Sequence, residues 1–322
     1  MSTIRWGIIG CGDVARRRVA QAIIDDDQSE LVAACRRNSD RLQQFGEEFV
    51  VPKLYQDDAQ LIADDDIDAV YIATPVNLHR RQTIAAAEVG KHVLCEKPMA
   101  MNTAECTDMI AACATAGVKL GVAYYRRFYP VIRRIEDLIS AGHIGIPISV
   151  RATTGTAWRF QPDDDGYWRV ELERSGGGAL MDLGSHRLNL LIRLFGMPQH
   201  VNAACRTVAA DYVADNASAV LAQFANQVHG VVECFFGVPS DPDEFSLIGT
   251  EGILQVSPLN GGQLHWHSGS DHVVEEHPAA ANFNSPLIAD FVAAIRDDRP
   301  PEVSGEEGRL TNEVLERAYN DE

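Results

Sequence analysis

Short apolar runs alternate with stretches of helical periodicity through the first 123 residues of the chain. Short runs rich in Val and Ile are typical of buried strands, whereas apolar residues three and four positions apart are typical of amphipathic helices. The predicted strands are 4–9, 31–35, 53–55, 69–73, 91–95 and 119–123. The predicted helices are 13–25, 58–63, 82–89 and 103–116. Strands that alternate with helices form a doubly wound parallel sheet.

Beyond residue 123 the pattern becomes mainly that of strands. After a helix over 128–141, the predicted strands are 148–155, 199–207, 217–225, 228–236, 244–249, 252–257 and 263–267. Short connections between several of them indicate antiparallel neighbours. Two further helices are predicted over 178–195 and 286–297. We therefore predict an α/β chain with a doubly wound domain over 1–123 and an α+β domain over 124–322. The second domain has an open, predominantly antiparallel sheet, and its C-terminal helix packs back on the first.

Composition and charge argue against several classes of partner. The net charge of −18 disfavours nucleic acid and anionic membranes, and no apolar run approaches the ~20 residues of a membrane helix. The seven cysteines include no C-x-x-C pair and lie mostly in apolar runs, which is typical of free thiols rather than of disulfides or a metal site. The chain enters a strand at Ile4 without a secretory leader, so we expect a cytoplasmic protein.

The first strand runs directly into G-C-G-D-V-A, which fits the dinucleotide fingerprint G-x-G-x-x-G/A. Gly10 suits the tight turn, Gly12 lets the backbone approach a pyrophosphate, and the small Ala15 lets the helix pack on the strand. The N–H groups at the start of that helix then face the phosphates. The candidate cofactor contacts in this turn are Gly10, Cys11, Gly12, Asp13 and Val14.

Arg36 and Arg37 follow the second strand, where an acidic residue would bind the ribose hydroxyls of NAD. Guanidinium groups suit the 2′-phosphate of NADP, and a carboxylate repels it. The alternative is a pair of solvated arginines. Ser39 is predicted to cap the next helix, which places Asp40 inside its first turn. The sequence therefore predicts NADP(H) in preference to NAD(H).

Two further candidate segments lie where predicted parallel strands end. Thr74, Pro75, Asn77 and His79 follow the fourth strand, where the nicotinamide half of a cofactor would cross the sheet. Glu96, Lys97 and Pro98 follow the fifth, and Pro98 restricts Lys97 to extended geometry. The chain has four lysines against twenty-four arginines, so a lysine at this edge is unlike random surface charge.

The helix over 178–195 follows three glycines and carries polar residues on an otherwise apolar surface. Asp182 and His186 are four positions apart and share a face, with Asn189 on nearly the same stripe. A histidine tuned by a carboxylate is a typical general acid or base near neutral pH. An intrahelical hydrogen bond is the structural alternative. A metal pair is disfavoured because no third ligand lies at a suitable spacing.

Taken together, the glycine turn, E-K-P and G-G-G-A-L-M-D-L-G-S-H resemble the glucose–fructose oxidoreductase/inositol dehydrogenase/MocA (Gfo/Idh/MocA) family, and the resemblance extends over about 4–319. It implies a Rossmann domain, an α/β partner domain and NAD(P)-dependent oxidation or reduction at a carbinol or carbonyl carbon, usually of a sugar or cyclitol. It also implies that Lys97, Asp182 and His186 flank the substrate. Other stretches similar to cleft-lining segments of the family contain Tyr125, Arg127, Trp168 and Arg169. Of these, Trp168 and Arg169 are candidate cofactor contacts, and Tyr125, Arg127 and Arg169 are candidate substrate contacts.

The implied reaction is hydride transfer, in which His186 exchanges a proton with the substrate oxygen, Asp182 tunes His186, and Lys97 binds that oxygen. With NADP(H) the expected direction is reduction of a sugar carbonyl. The alternatives are a dihydrodiol- or aldose-type dehydrogenase and a non-catalytic NADP(H)-binding sensor. The helices over 128–141, 178–195 and 286–297 can cover only one face of the second sheet, so a homodimer or homotetramer is predicted through the other face.

Overall fold

The computed structural model describes residues 3–320, which contain fourteen strands and ten α-helices. The strands are β1 (Ile4–Ile9), β2 (Ser29–Cys35), β3 (Lys53–Tyr55), β4 (Ala69–Ile72), β5 (His92–Cys95), β6 (Leu120–Val122), β7 (Pro147–Thr156), β8 (Pro198–Arg206), β9 (Ala217–Phe224), β10 (His229–Phe236), β11 (Asp243–Gly249), β12 (Gly252–Val256), β13 (Gln263–Ser268) and β14 (Asp271–Glu276).

The helices are α1 (Ala20–Ile24), α2 (Ser39–Phe49), α3 (Asp58–Ile62), α4 (His79–Glu88), α5 (Thr103–Ala116), α6 (Pro130–Ser140), α7 (Leu172–Ser175), α8 (Ser185–Phe195), α9 (Ser285–Arg296) and α10 (Gly305–Tyr319). Two of them continue from π-helical stretches, Ala15–Val19 before α1 and Leu180–Gly184 before α8. In the described part of the chain no helix is long and apolar enough to cross a membrane.

Residues 3–320 fall into two compact units. One contains the chain up to Tyr125 together with Asn282–Arg309, and the other contains Arg126–Ala281 together with the chain from Leu310 onward. The division crosses α10, whose first turns belong to the first unit, where added Cβ atoms on Gly305 and Gly308 would meet Leu120 and Val122. The assignment of one domain to the cofactor and the other to the substrate stays a prediction.

The first unit is built on a six-stranded sheet in the order β3-β2-β1-β4-β5-β6, with every strand pair parallel. This order confirms the predicted doubly wound sheet. Strand β4 is buried throughout and β1 is buried except at Arg5, and Trp6 and Tyr71 are among the largest side chains with no exposed surface. The carboxyl ends of β1, β2, β4 and β5 therefore present their following loops at one edge, where open α/β sheets bind ligands.

Two expectations for helices are wrong. The cap of α2 is Asn38, whose side chain accepts a hydrogen bond from the N–H of Arg41, and Ser39 is the first helical residue. The helix predicted over 286–297 is α9, which belongs to the first unit rather than covering the second sheet. Its Phe291 ring lies 5.7 Å from the Trp6 ring, because the apolar face of α9 matches the core of the first unit.

The second unit is built on an eight-stranded sheet in the order β14-β13-β12-β11-β7-β10-β9-β8. Only β7 and β10 pair in parallel, so the sheet is predominantly antiparallel, as predicted. Strand β14 was not predicted. Burial alternates along the strands and defines an inner and an open face. The nearly unexposed Arg187 of α8 forms an ion pair with Asp243 of β11 within the second unit.

Candidate functional site

The glycine turn after β1 has the geometry that the fingerprint requires. Gly10 has φ +96°, and a Cβ there would lie 2.6 Å from the Ala73 carbonyl oxygen, so only glycine fits. An added Cβ on Gly12 would have no neighbouring atom within 4 Å, which leaves open space beside the backbone at the position expected to face a pyrophosphate. Ala15 is fully buried against the sheet. The turn therefore fits a dinucleotide.

The side chains of the turn point in different directions. Cys11 is buried with its Sγ 3.5 Å from the Cys35 carbonyl oxygen, and burial raises the pKa of its thiol to about 12. Asp13 is exposed and forms an ion pair with Arg17. Val14 is half-buried. A phosphate at this turn would therefore meet backbone N–H groups rather than a thiolate.

Arg36 lies beside this turn, and its guanidinium donates a hydrogen bond to the Cys11 carbonyl. Partial burial and the nearby Arg41 guanidinium lower the pKa of Arg36. Arg37 is exposed. Two guanidinium groups that repel each other are stabilised by a bound anion. The sequence analysis did not identify Arg41 as part of this cationic site. Its position in the first turn of the helix that follows Arg36 could have indicated it.

The segment after β4 is joined to the segment after β5 through one imidazole. His79 is buried, with Nε2 2.9 Å from the Thr74 carbonyl oxygen and Nδ1 3.1 and 3.2 Å from those of Pro98 and Met99. The Thr74 hydroxyl donates to Gln82. The half-buried Pro75 and the exposed Asn77 lie between them. The ring of His79, predicted as a cofactor contact, thus lies among backbone carbonyls that hold both segments.

The Lys97 turn is held from its other side by a carboxylate. Glu96 Oε2 accepts the N–H of Lys97 at 3.1 Å, and Glu96 Oε1 accepts the hydroxyl of Tyr71 at 2.7 Å. Tyr71 is fully buried in β4, and burial raises the pKa of its phenol well above the ordinary value, with Glu96 adding to the shift. Lys97 itself is half-buried at the carboxyl edge of the sheet.

In the second unit, the glycine segment before Asp182 is bound at Gly178 by one buried carboxylate, Asp215. Its side chain accepts hydrogen bonds from the N–H groups of Gly178 and Leu180, at 2.7 and 2.8 Å. The hydroxyls of Ser218 and Tyr319 also donate to it, each at 2.7 Å. A Cβ on Gly178 would lie 1.9 Å from the Asp215 carbonyl oxygen, so glycine is required there for space. This carboxylate fixes where the helix begins.

Asp182 and His186 follow from this fixed start. Asp182 is half-buried and lies 3.5 Å from the guanidinium of Arg169, which itself lies 4.7 Å from the Trp168 ring centroid. His186 is 5% exposed on α8. Three of the predicted site residues, Trp168, Arg169 and Asp182, are therefore brought together within the second unit.

The remaining predicted residues are placed as follows. Arg127 is buried and donates from Nε to Asn189 Oδ1 at 2.8 Å, and Asn189 donates to Thr311 at 2.9 Å, all within the second unit. Tyr125 belongs to the first unit, where its hydroxyl accepts a hydrogen bond from Arg18 at 3.0 Å. The side chain of Asn189 is therefore hydrogen-bonded to Arg127 and Thr311. Roles for Arg127 and Tyr125 in substrate binding stay predictions.

Sequence reasoning missed the residues that hold these segments in place. In the sequence, Tyr71 is indistinguishable from any other large residue of a buried strand. Tyr319 is one of the last residues of the C-terminal helix and carries no motif. Asp215 lies in a short polar stretch with no recognisable motif. Among residues 3–320, no group of three or more His, Cys, Asp or Glu side chains is arranged to hold a metal ion.

The glycine turn and the sheet order are those of a dinucleotide-binding Rossmann domain. The model described as "Oxidoreductase family, NAD-binding Rossmann fold" matches residues 4–124, and the "GFO/IDH/MocA C-terminal domain" matches residues 132–255. The chain belongs to the Gfo/Idh/MocA family and is an NAD(P)-dependent oxidoreductase.

Two relatives and one solved structure illustrate the similarity. The chain is 31% identical to 1,5-anhydro-D-fructose reductase of Ensifer adhaerens, over 94% of this chain and 92% of the relative. It is 28% identical to D-xylose 1-dehydrogenase (NADP(+)) 2 of Haloferax volcanii, over 98% and 96%. The crystal structure of an aldose-aldose oxidoreductase from Caulobacter crescentus, complexed with glycerol, matches with a TM-score of 0.89 at 28% identity, over 99% and 97%.

Proposed function

We propose that this protein is an NADP(H)-preferring oxidoreductase that acts on a carbonyl or carbinol carbon of a sugar, a cyclitol or a related small molecule. The observation that carries the proposal is the Lys97 turn at the carboxyl edge of β5, which is held on one side by the half-buried Glu96 carboxylate and on the other by the buried His79 ring. The two relatives described above have names that specify sugar-type substrates, which supports the substrate class.

The preference for NADP(H) rests on Arg36. Its guanidinium lies against the glycine turn with Arg41 nearby, and no acidic residue follows β2 directly. A 2′-phosphate would relieve the repulsion between the two cations. We expect NADPH to bind more tightly than NADH by about 1.5–3 kcal/mol, and Arg36→Asp to erase or reverse the difference. Titration with both cofactors measures it, and equal affinities in the unchanged protein would show that the arginines are only solvated.

In the proposed reaction, a nicotinamide cofactor bound at the glycine turn would supply or accept the hydride at the substrate carbon. In the direction of reduction His186 gives a proton to the substrate oxygen as the hydride arrives, and in the direction of oxidation it takes that proton back. Asp182 stabilises the protonated form of His186, while Arg169 beside it orients substrate hydroxyls. The Lys97 ammonium hydrogen-bonds the same oxygen and stabilises its developing negative charge.

The test is turnover of sugars, cyclitols and dihydrodiols with each cofactor, followed at the absorbance of reduced nicotinamide. Lys97→Ala and His186→Ala are each expected to lower kcat by about 10²–10⁴, and Asp182→Asn by less, with unchanged NADPH affinity. Lys119→Ala is the matched control, because Lys119 forms an ion pair with the exposed Asp298 away from the sheet edge. Full turnover in either alanine variant would overturn the assigned chemistry.

The substrate screen also separates the other candidate functions. A dihydrodiol- or aldose-type dehydrogenase would turn over those substrates in the oxidative direction. A non-catalytic sensor would bind NADPH and turn over none. The retention of Lys97, Asp182 and His186 together favours an enzyme over a sensor.

We further propose a homodimer or homotetramer formed through the open face of the second sheet. Five apolar side chains on its strands are more than a third exposed: Ile148, Leu221, Ile248, Ile253 and Val274. Ile248 and Ile253 pair directly across β11 and β12, which makes the apolar surface continuous there. Light scattering at micromolar concentration tests this, and a monomeric mass would contradict it. We propose a cytoplasmic location because all seven cysteines are free.

A further inference from the structure

Glu96 cannot hold the Lys97 turn without support of its own. A glutamate side chain has three rotatable bonds, and Glu96 is half-buried at the sheet edge, where its carboxylate can also turn toward water. One of its oxygens accepts the N–H of Lys97. The other accepts the Tyr71 hydroxyl at 2.7 Å, which is a short, charge-assisted hydrogen bond.

Tyr71 is a rigid support because its ring is fully buried in the central strand β4, between β1 and β5. A phenol has one proton to donate. Since Tyr71 donates that proton to the carboxylate, its oxygen is left to accept, and Asn284 Nδ2 lies 3.4 Å from it. The hydrogen bonds therefore converge on Glu96: Asn284 donates to Tyr71, Tyr71 donates to one Glu96 oxygen, and the Lys97 N–H donates to the other.

Asn284 supplies an independent observation. It occupies the N-cap position of α9, where an asparagine side chain ordinarily accepts a hydrogen bond from a backbone N–H of the first turn. Its side chain makes no such bond, and its amide instead donates to Tyr71. The Asn284 amide therefore places a donor on the side of the Tyr71 oxygen that faces away from Glu96.

We propose that Tyr71 is a positioning residue for the reaction, which acts through Glu96 to fix the backbone of Lys97 at the sheet edge. The proposal rests on the proposed function, in which Lys97 binds the substrate oxygen. The far side of the turn is held separately by His79, so the loss of the Tyr71 hydroxyl loosens the turn without releasing it. Misplacement of a positioned group by about 1 Å costs about a hundredfold in rate, and a partial release costs less.

The first readout needs neither cofactor nor substrate. Since the chain has four lysines, protein labelled with [¹⁵N]lysine gives four backbone amide signals, and Lys97→Arg identifies the signal of Lys97 by its loss. In Tyr71→Phe we expect amide hydrogen exchange at Lys97 to be at least tenfold faster, with Lys53, Lys91 and Lys119 unchanged. Unchanged exchange at Lys97, or equal acceleration at all four lysines, would overturn the proposal.

The second readout is kinetic. Tyr71→Phe should lower kcat about ten- to a hundredfold with unchanged NADPH affinity, and it should cause no further loss in a Lys97→Ala background. Tyr55→Phe is the matched control, because it also removes a hydroxyl that donates to a carboxylate, Asp64, away from the turn. An equal loss with and without Lys97 would show that Tyr71 does not act through it. If Lys97→Ala alone keeps full turnover, the proposed function is wrong at Lys97, and amide exchange still decides whether Tyr71 holds the turn.

Discussion

The segments that carry the candidate chemistry are anchored differently in the two units. In the first unit, the Lys97 turn is held by several separate contacts, namely the Glu96 carboxylate on one side and the His79 ring on the other. In the second unit, four hydrogen bonds around the start of the helix that carries Asp182 converge on a single carboxylate, Asp215. The first anchorage, formed by Glu96 and His79, is distributed over separate side chains. The second anchorage, formed by Asp215, is concentrated in one.

This difference predicts opposite sensitivities. A distributed anchorage loses one hydrogen bond at a time, so a single change should affect the precision of the turn more than the stability of the unit. A concentrated anchorage leaves several buried donors unpaired when its one acceptor is lost, and each unpaired donor costs free energy. Substitutions at Asp215 should therefore lower mainly the free energy of unfolding, and substitutions at Tyr71 should lower mainly the turnover rate.

The largest expected effect is that of Asp215→Ala. Loss of the carboxylate leaves the N–H groups of Gly178 and Leu180 and the hydroxyls of Ser218 and Tyr319 without their acceptor, so we expect the free energy of unfolding to fall by about 3–5 kcal/mol. Tyr71→Phe should cost about 1 kcal/mol. Urea denaturation measures both. The control is Asp211→Ala, an exposed residue four positions upstream, which should stay within about 0.5 kcal/mol of the unchanged protein. Equal losses for Asp215→Ala and Tyr71→Phe would remove the distinction between the two anchorages.

The same contrast explains how far the sequence could lead. The order of elements, the parallel sheet and the glycine turn follow from periodicity and from a motif whose residues are close together in sequence. Asp215 lies thirty-seven positions from Gly178, and Tyr319 lies farther still, so no local pattern links them. Tyr71 suits β4 as any large apolar residue would, and only its distance to Glu96 distinguishes it.

The wrong expectations have a similar physical origin. Asn38 and Ser39 are both good capping residues, and the backbone geometry decides which one is used. The amphipathic pattern of α9 shows that it covers a core, but the core that it covers is set by the fit of Phe291 against Trp6. The periodicity of a sequence shows which face of a helix is buried, but it does not show which part of the protein that face packs against.

A smaller effect is expected for two glycines that are required for different reasons. Gly178 is needed for close packing in the second unit, and Gly12 is needed to leave room for a ligand. A Cβ on Gly178 meets the Asp215 backbone, so Gly178→Ala should destabilise the protein by about 1–3 kcal/mol. A Cβ on Gly12 meets no atom within 4 Å, so Gly12→Ala should leave the free energy of unfolding within about 0.5 kcal/mol while it weakens NADPH binding. Urea denaturation and NADPH titration of both variants check this. Comparable destabilisation by the two alanines would show that the turn after β1 is as tightly packed as the glycine segment.

The smallest expected effect is a pH dependence confined to the first anchorage, where His79 is the titratable member. Its ring faces three carbonyl oxygens, which favour the imidazolium, but complete burial opposes that charge more strongly and lowers the pKa of His79 below its ordinary value of about 6.5. The unfolded chain therefore takes up the proton first as pH falls below about 6.5, and stability falls with it until the folded ring is protonated too.

We expect the unchanged protein to lose up to about 1 kcal/mol more stability than His79→Gln between pH 7 and pH 5.5. His92, whose pKa is also lowered by burial, contributes equally to both proteins and cancels in the comparison. Urea denaturation at several pH values measures the difference, and His143→Gln on the second unit serves as the control. A gain in relative stability on acidification would mean that the three carbonyls outweigh burial. The Lys97 turn would then be held by a buried imidazolium on one side and by the Glu96 carboxylate on the other.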